Sequence, residues 1–283
     1  IGKYEVTAEL WNTIYNWAKD REYEFEYQGA MPDSNKPISG VSWRDCVVWC
    51  NAYTEAKFGN TVQCVYTNSQ THTIVKSIGD DDDDYIVCDL TKKGYRLPTE
   101  AEWEFAARYQ GSNDVTDSIN AEKYGTVYLT NVNSASGATL PIGFEGMTLP
   151  AGKSYETLRA ETARVAVFDK YYNGSAFVDQ PDSVNGVSDV GKRAANKLGI
   201  YDMSGNVAEW CWDRYSATLS SGSVNDPTGS TSSADTKRIL RGGFWSKTAE
   251  KAVYECMTGK RENDTASAAY QSIGFRLAWK DEP

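Results

Sequence analysis

From Gly111 to Lys197 the chain carries glycine-rich, irregular stretches in which no helical or alternating apolar pattern is sustained. Such stretches punctuate structure rather than propagate it. A chain of 283 residues built around them must hold its core with few regular elements, and helical pattern is confined to three or four places. Apolar material is not short: 40% of residues are hydrophobic, and 9 Trp and 18 Tyr supply large aromatic surface. Length alone allows one large domain or two small ones.

The helical places announce themselves by their ends. In EVTAELWNTIYNWA, Thr7 is an N-cap, and Leu10, Trp11, Ile14, Trp17 and Ala18 recur at helical spacing. In GVSWRDCVVWCNAYTEAKFG, Ser42 and Asp45 resemble a capping box, Trp43, Cys46, Val47, Cys50 and Tyr53 form the buried stripe, and Gly59 is the stop. In GYRLPTEAEWEFAAR, Pro98 ends an extended segment, Thr99 caps and Glu102 closes the box. Between Thr61 and Leu90 the pattern turns to short strands around polar loops. The run Asp80 to Asp84 lacks the alternation and the closing Glu of a calcium loop and reads as a solvated hairpin tip.

Several function classes are disfavoured. A formal charge of -10 repels polyanions, so nucleic acid is not an expected partner. No apolar run approaches the roughly 18 residues of a transmembrane helix. Ile1 opens on a folded pattern with no charged and then apolar leader, as in a chain whose leader has been removed or trimmed. The one histidine, His72, sits in a polar loop, whereas zinc sites and Ser/His or Cys/His pairs need imidazole. Of six cysteines, Cys46 and Cys50 lie four apart on a helix and point into the core as small hydrophobes. Cys64 and Cys88 lie in two alternating runs, where a cross-strand bridge and two free thiols are both open.

GYRLPTEAEWEFAAR, LGIYDMSGNVAEWCWDRY (Leu198 to Tyr215), RILRGGFW (Arg238 to Trp245) and IGFRLA (Ile273 to Ala278) stand in the order of the formylglycine-generating enzyme, or sulfatase-modifying factor, family, which this chain resembles over nearly its whole length. The resemblance implies an α+β, C-type lectin-like fold of the formylglycine-generating-enzyme type, with low regular secondary structure and long loops, as a single domain over residues 1–283. Enzymes of the family oxidise a substrate cysteine with copper held by two thiolates shortly after the GG-x-W motif, and soft cuprous copper needs that sulfur pair. The aligned positions here are Lys247 and Ala252, so no catalytic residue and no copper cofactor are expected. Cys256 is the only thiol of the segment and is out of register. The ergothioneine-type sulfoxide synthases use histidines on an added helical domain, and this chain carries neither. The resemblance also implies a structural calcium ion at Asn206 and Glu209, completed by backbone oxygens; the alternative is that Asn206 satisfies loop amides and Glu209 pairs with an arginine.

In the C-terminal segment, about 238–278, frame residues (Gly242, Gly243, Trp245, Arg261, Ile273, Gly274, Phe275 and Arg276) alternate with positions of mixed chemistry. The mixed positions are Phe244, Ser246, Lys247, Thr248, Val253, Tyr254, Glu262, Asn263, Asp264, Ala268, Tyr270, Gln271 and Ser272. This resembles the variable proteins of diversity-generating retroelements, most of all the treponemal type, in which that segment is rewritten to bind ligand. A surface that tolerates rewriting belongs on exposed side chains of a rigid backbone, and tyrosines with small polar residues suit contact. The expectation is a non-enzymatic, cell-surface binding protein with a macromolecular partner, a protein, and a lipid anchor upstream of Ile1. The alternatives are a copper-dependent oxidase with an atypical site using Cys256 and Cys211, a structural envelope component, and a degenerate family member whose segment is ordinary surface.

Overall fold

Thr7 accepts a hydrogen bond from the Leu10 amide and opens helix α1, Ala8–Lys19. Ser42 and Asp45 close a reciprocal box at the start of α2, Trp43–Phe58, which ends at Gly59 in the left-handed region, φ +72°. Strands β1, Tyr66–Asn68, and β2, Ile86–Cys88, follow, and α3, Glu100–Arg108, begins directly after Thr99. Next come β3, Asp117–Ala121, β4, Gly125–Leu129, helix α4, Tyr155–Val165, β5, Lys170–Tyr172, and β6, Phe177–Asp179. The chain closes with β7, Ala208–Arg214, β8, Lys237–Arg241, a 3-10 turn at Ala252–Cys256, β9, Glu262–Thr265, and β10, Ile273–Gly274. This computed structural model describes residues 1–30, 34–80, 83–111, 117–121, 125–183, 186–219, 224–246 and 252–280.

The fold is α+β with short strands and long loops. Antiparallel pairs β1-β2, β3-β4 and β5-β6 form two-stranded sheets, and a four-stranded sheet has the order β10-β7-β8-β9. The stretch read as irregular thus holds α4, capped by Ser154, and two hairpins. The Cys64–Cys88 bridge does not form: Cys88 stands opposite Tyr66 in the β1-β2 register, and none of the six cysteines is in a disulfide. Cys64 instead directs its sulfur to the Asn51 carbonyl at 3.4 Å. The acidic run is also more than a solvated tip. Buried Arg44 pairs with Asp80 at 2.7 Å and Asp83 at 2.9 Å, and Arg214 pairs with Asp84 at 2.6 Å; Asp81 and Asp82 lie outside the described residues.

By its internal contacts the chain divides into unit 1, residues 1–101, 210–239 and 263–283, and unit 2, residues 102–209 and 240–262. Unit 1 has an aromatic core. Trp11 and Trp49 stack with 5.6 Å between centroids, and Phe275 meets both edge-on. Four of its buried indoles find a backbone acceptor: Trp11 on Gln28, Trp43 on Cys211, Trp49 on Trp11 and Trp210 on Val41. This is the condition under which tryptophan adds area without stranding a donor. Asp213 caps α3 by accepting from the Glu100 amide at 2.7 Å. Buried Arg238 lies 3.6 Å over the Trp43 ring and donates to the Trp212 carbonyl; desolvation lowers its pKa to about 9, which leaves it a cation at neutral pH.

One apolar cluster of unit 2 packs on smaller residues: Ala135, Ala138, Ala163 and Ala166 with Ile142, Val165, Phe168, Val253 and Cys256. Its buried cation, Arg241, donates to Glu104 at 2.8 Å and to the carbonyls of Thr258 and Lys260. Among the described residues no helix is long and apolar enough to cross a membrane.

Candidate functional site

The frame of the C-terminal segment is built as its residue types require. Gly242 and Gly243 both have positive φ, +92° and +67°, and a Cβ on Gly243 would lie 2.5 Å from the Glu255 carbonyl carbon. Only glycine lets the chain after β8 pass so close to the 3-10 turn. Gly205, φ +77°, is equally constrained against the Val167 backbone, and the Trp245 amide donates to the Asn206 carbonyl. Trp245 itself is half-buried rather than a fully buried anchor. Arg276 is fully buried and donates to the Gly2 carbonyl at 3.1 Å.

The mixed positions divide between the units. In unit 2, Ser246 is 5% exposed and Val253 2%, so neither offers contact surface in this structure. Val253 belongs to the apolar cluster, which sequence alone could not distinguish from an exposed position. Phe244 and Glu262 are half-buried, and Glu262 pairs with Lys260 at 3.0 Å. Tyr254 is half-buried, its hydroxyl accepting from the Glu145 amide and its ring meeting Phe177 at 5.4 Å and Phe144 at 6.5 Å. Phe177 in turn meets Tyr172, and Tyr172 meets Tyr155, which makes a row of half-buried rings that the sequence reading missed. Lys247 and Thr248 lie outside the described residues.

In unit 1, Asn263 and Asp264 sit on β9, an edge strand of the four-stranded sheet, and both are half-buried. Ala268 and Ser272 are half-buried, while Gln271 is exposed and Tyr270 is 58% exposed. The backbone beneath them is fixed: the Tyr270 carbonyl accepts from Gly40 and Ile273 amides, and the Ala266 carbonyl accepts from Arg44. Exposed side chains on a tied backbone are what a contact surface needs.

The chemistry that the aligned enzymes perform has no sulfur pair here. Ala252 carries no thiol, and Cys256 is the one cysteine of unit 2. Cys256 is fully buried, and burial, followed by the charges of Glu255 and Asp169, pushes its thiol well above the ordinary range. A buried thiol held in its neutral form is a poor nucleophile, and a single sulfur does not make the pair that cuprous copper needs. The residues present do not fit the copper centre.

Asn206 and Glu209 are both fully buried. Asn206, with φ +63°, accepts the Ser188 amide at 2.8 Å, and Glu209 accepts the Trp103 indole at 2.8 Å. Calcium takes six to eight oxygens. Among the described residues no three His, Cys, Asp or Glu side chains are grouped to hold a metal, so an ion at this pair needs most of its shell from backbone oxygens.

Comparison with known proteins agrees with this geometry. The model of the sulfatase-modifying factor enzyme 1-like domain matches residues 1–281. The chain is 27% identical over 247 residues to Chaperone protein LppX of Paenibacillus barcinonensis, covering 87% of this chain and 68% of the chaperone. It is 27% identical over 188 residues to Inactive C-alpha-formylglycine-generating enzyme 2 of Bos taurus, covering 66% of this chain and 44% of that protein, so it spans less than half of that relative. Among solved structures, Treponema denticola variable protein 1 superposes with a TM-score of 0.66 at 26% identity, covering 99% of this chain and 84% of the other. Motif order, fold and these matches converge: the chain belongs to the sulfatase-modifying factor enzyme 1-like domain family.

Proposed function

We propose that this protein is a non-enzymatic binding module, displayed outside the cytoplasm on the cell surface through a lipid anchor upstream of Ile1, whose C-terminal segment contacts a protein ligand. The observation that carries the reading is the retained frame around a missing reaction centre. Gly242, Gly243 and Arg276 hold their constrained places, while Ala252 stands where a thiolate is required and Cys256 is buried. Likeness to a variable protein and to an enzyme named inactive supports it. The side chains available for contact are the accessible ones: Tyr270 and Gln271, with Phe244, Tyr254, Glu262, Asn263, Asp264, Ala268 and Ser272 contributing part of their surface.

Sequencing sister copies of the gene from one population tests this. The expected result is variation confined to codons between Phe244 and Ser272 beside a near-repeat differing only at adenines; uniform copies, or variation spread over the chain, would reject it. A second reading rests on the relative named a chaperone: the same surface would grip a client protein transiently. Binding that survives simultaneous substitution of Tyr270 and Gln271 by alanine favours neither reading and moves the contact elsewhere. Calcium at Asn206 and Glu209 remains part of the proposal, with its own check: adding calcium to chelator-treated protein raises Tm if the ion is held and leaves it unchanged if not.

A further inference from the structure

Outside the C-terminal segment, unit 2 contains a cleft of about 380 Å³ walled by the loop from Thr130 to Pro150. That volume lies in the range of small-molecule sites. Every polar side chain lining it is neutral, an amide or a hydroxyl, in a chain that carries 39 acidic and 29 basic residues. The charged groups bonded to the wall are paired: Glu161, which accepts from Thr139, with Arg164 at 2.8 Å, and Arg108, which donates to the Thr130 carbonyl, with Glu104 at 2.7 Å.

The walls are fixed before any ligand arrives. The Asn133 amide donates to the Asn131 side chain at 2.9 Å, Ile142 donates to the Asn133 carbonyl at 2.9 Å, and Phe144 and Met147 bond to each other. Tyr254 stands perpendicular to the Phe144 ring and holds its plane. The side chains of Asn133 and Thr148 face solvent and make no hydrogen bond with the described residues. They are donors and acceptors at the disposal of a ligand.

We propose that this cleft binds an uncharged polyhydroxylated ligand, a neutral saccharide unit. Amides and hydroxyls match sugar hydroxyls in both hydrogen-bonding senses, and the Phe144 ring with Pro141 offers an apolar face to the C–H side of a pyranose. A charged ligand would be desolvated against walls that supply no opposite charge. A peptide strand would find no strand edge to extend, because the lining residues are all turn and loop. None of the mixed positions lines the cleft, although Tyr254 stands behind its Phe144 ring.

Saturation-transfer NMR on the whole chain decides the matter, with methyl glycosides of neutral hexoses and N-acetylhexosamines as probes, glucuronic acid and glucosamine as charged counterparts, and a Gly-Ser peptide as the polypeptide control. The expected result is transfer to at least one neutral glycoside with a Kd of about 1 mM, and at least roughly tenfold weaker binding of the charged sugars. Asn133→Ala and Thr148→Ala should each weaken that binding about tenfold without moving Tm. No transfer to any neutral glycoside at about 10 mM, equal binding of the charged sugars, transfer to the peptide alone, or a signal that survives both substitutions would overturn the proposal.

Discussion

The two units treat a buried carboxylate differently. In unit 1, Asp45 accepts from the Ser42 amide and hydroxyl and from the Glu26 and Tyr27 amides, which satisfies both of its oxygens. In unit 2, Asp169 is equally buried, yet neither carboxylate oxygen has a partner among the described residues, and the nearby Gln180 amide nitrogen has none either. An unmade hydrogen bond in the interior costs more than a made one contributes. Unit 1, with its stacked indoles and closed polar accounts, is built for stability. Unit 2 combines a cluster of small core residues, unmatched polar atoms, a row of half-buried rings and a neutral cleft.

The comparison breaks most visibly at the indole stack. Trp49→Ala should cost roughly 3–5 kcal/mol in urea unfolding, because it removes a fully buried ring stacked on Trp11. A loss below about 1 kcal/mol would mean that unit 1 does not rest on its aromatic core. In unit 2, Arg241→Met should cost about 2–3 kcal/mol, since it strips the Thr258 and Lys260 carbonyls of a donor and takes one of the two arginines from Glu104, which keeps Arg108.

Asp169→Asn sharpens the contrast in the opposite direction. Burial raises the Asp169 pKa, so its folded carboxyl holds a proton to higher pH than the unfolded chain does. The ionised group therefore costs stability above the folded pKa, and the cost disappears as pH falls through it. The substitution should raise the urea midpoint at pH 7 and lose that advantage near pH 4. A lower midpoint at pH 7 would show instead that the carboxylate has a partner worth keeping. The smallest effects belong to the contact surface: Tyr270→Ser and Gln271→Ala should each change stability by no more than about 0.5 kcal/mol.

Much of unit 1 was legible in the sequence because its helices are marked by local chemistry. Thr7, Ser42 with Asp45, and Gly59 act on their own neighbours, so their role survives without knowledge of the fold. Helix α4 escaped notice although Ser154 caps it, because its buried side is only Leu158, Thr162, Ala163 and Val165 amid charged residues. Strands of two to seven residues leave too short an alternation to read, and their register, which separates Cys64 from Cys88, is set by tertiary pairing. The frame of the C-terminal segment was visible in its glycines. The burial of Ser246 and Val253 was not, since a serine or valine carries the same name on a surface and in a core.

On the proposed reading, the family scaffold persists here without its oxidation chemistry. Oxygen-consumption measurement with a cysteine-bearing peptide, after loading the protein with cuprous copper under reducing conditions, tests it most directly. The expected result is no stoichiometric copper, no oxygen uptake above the peptide blank and no formylglycine in the product; tight binding of one copper per chain with turnover of the peptide would overturn the non-enzymatic reading.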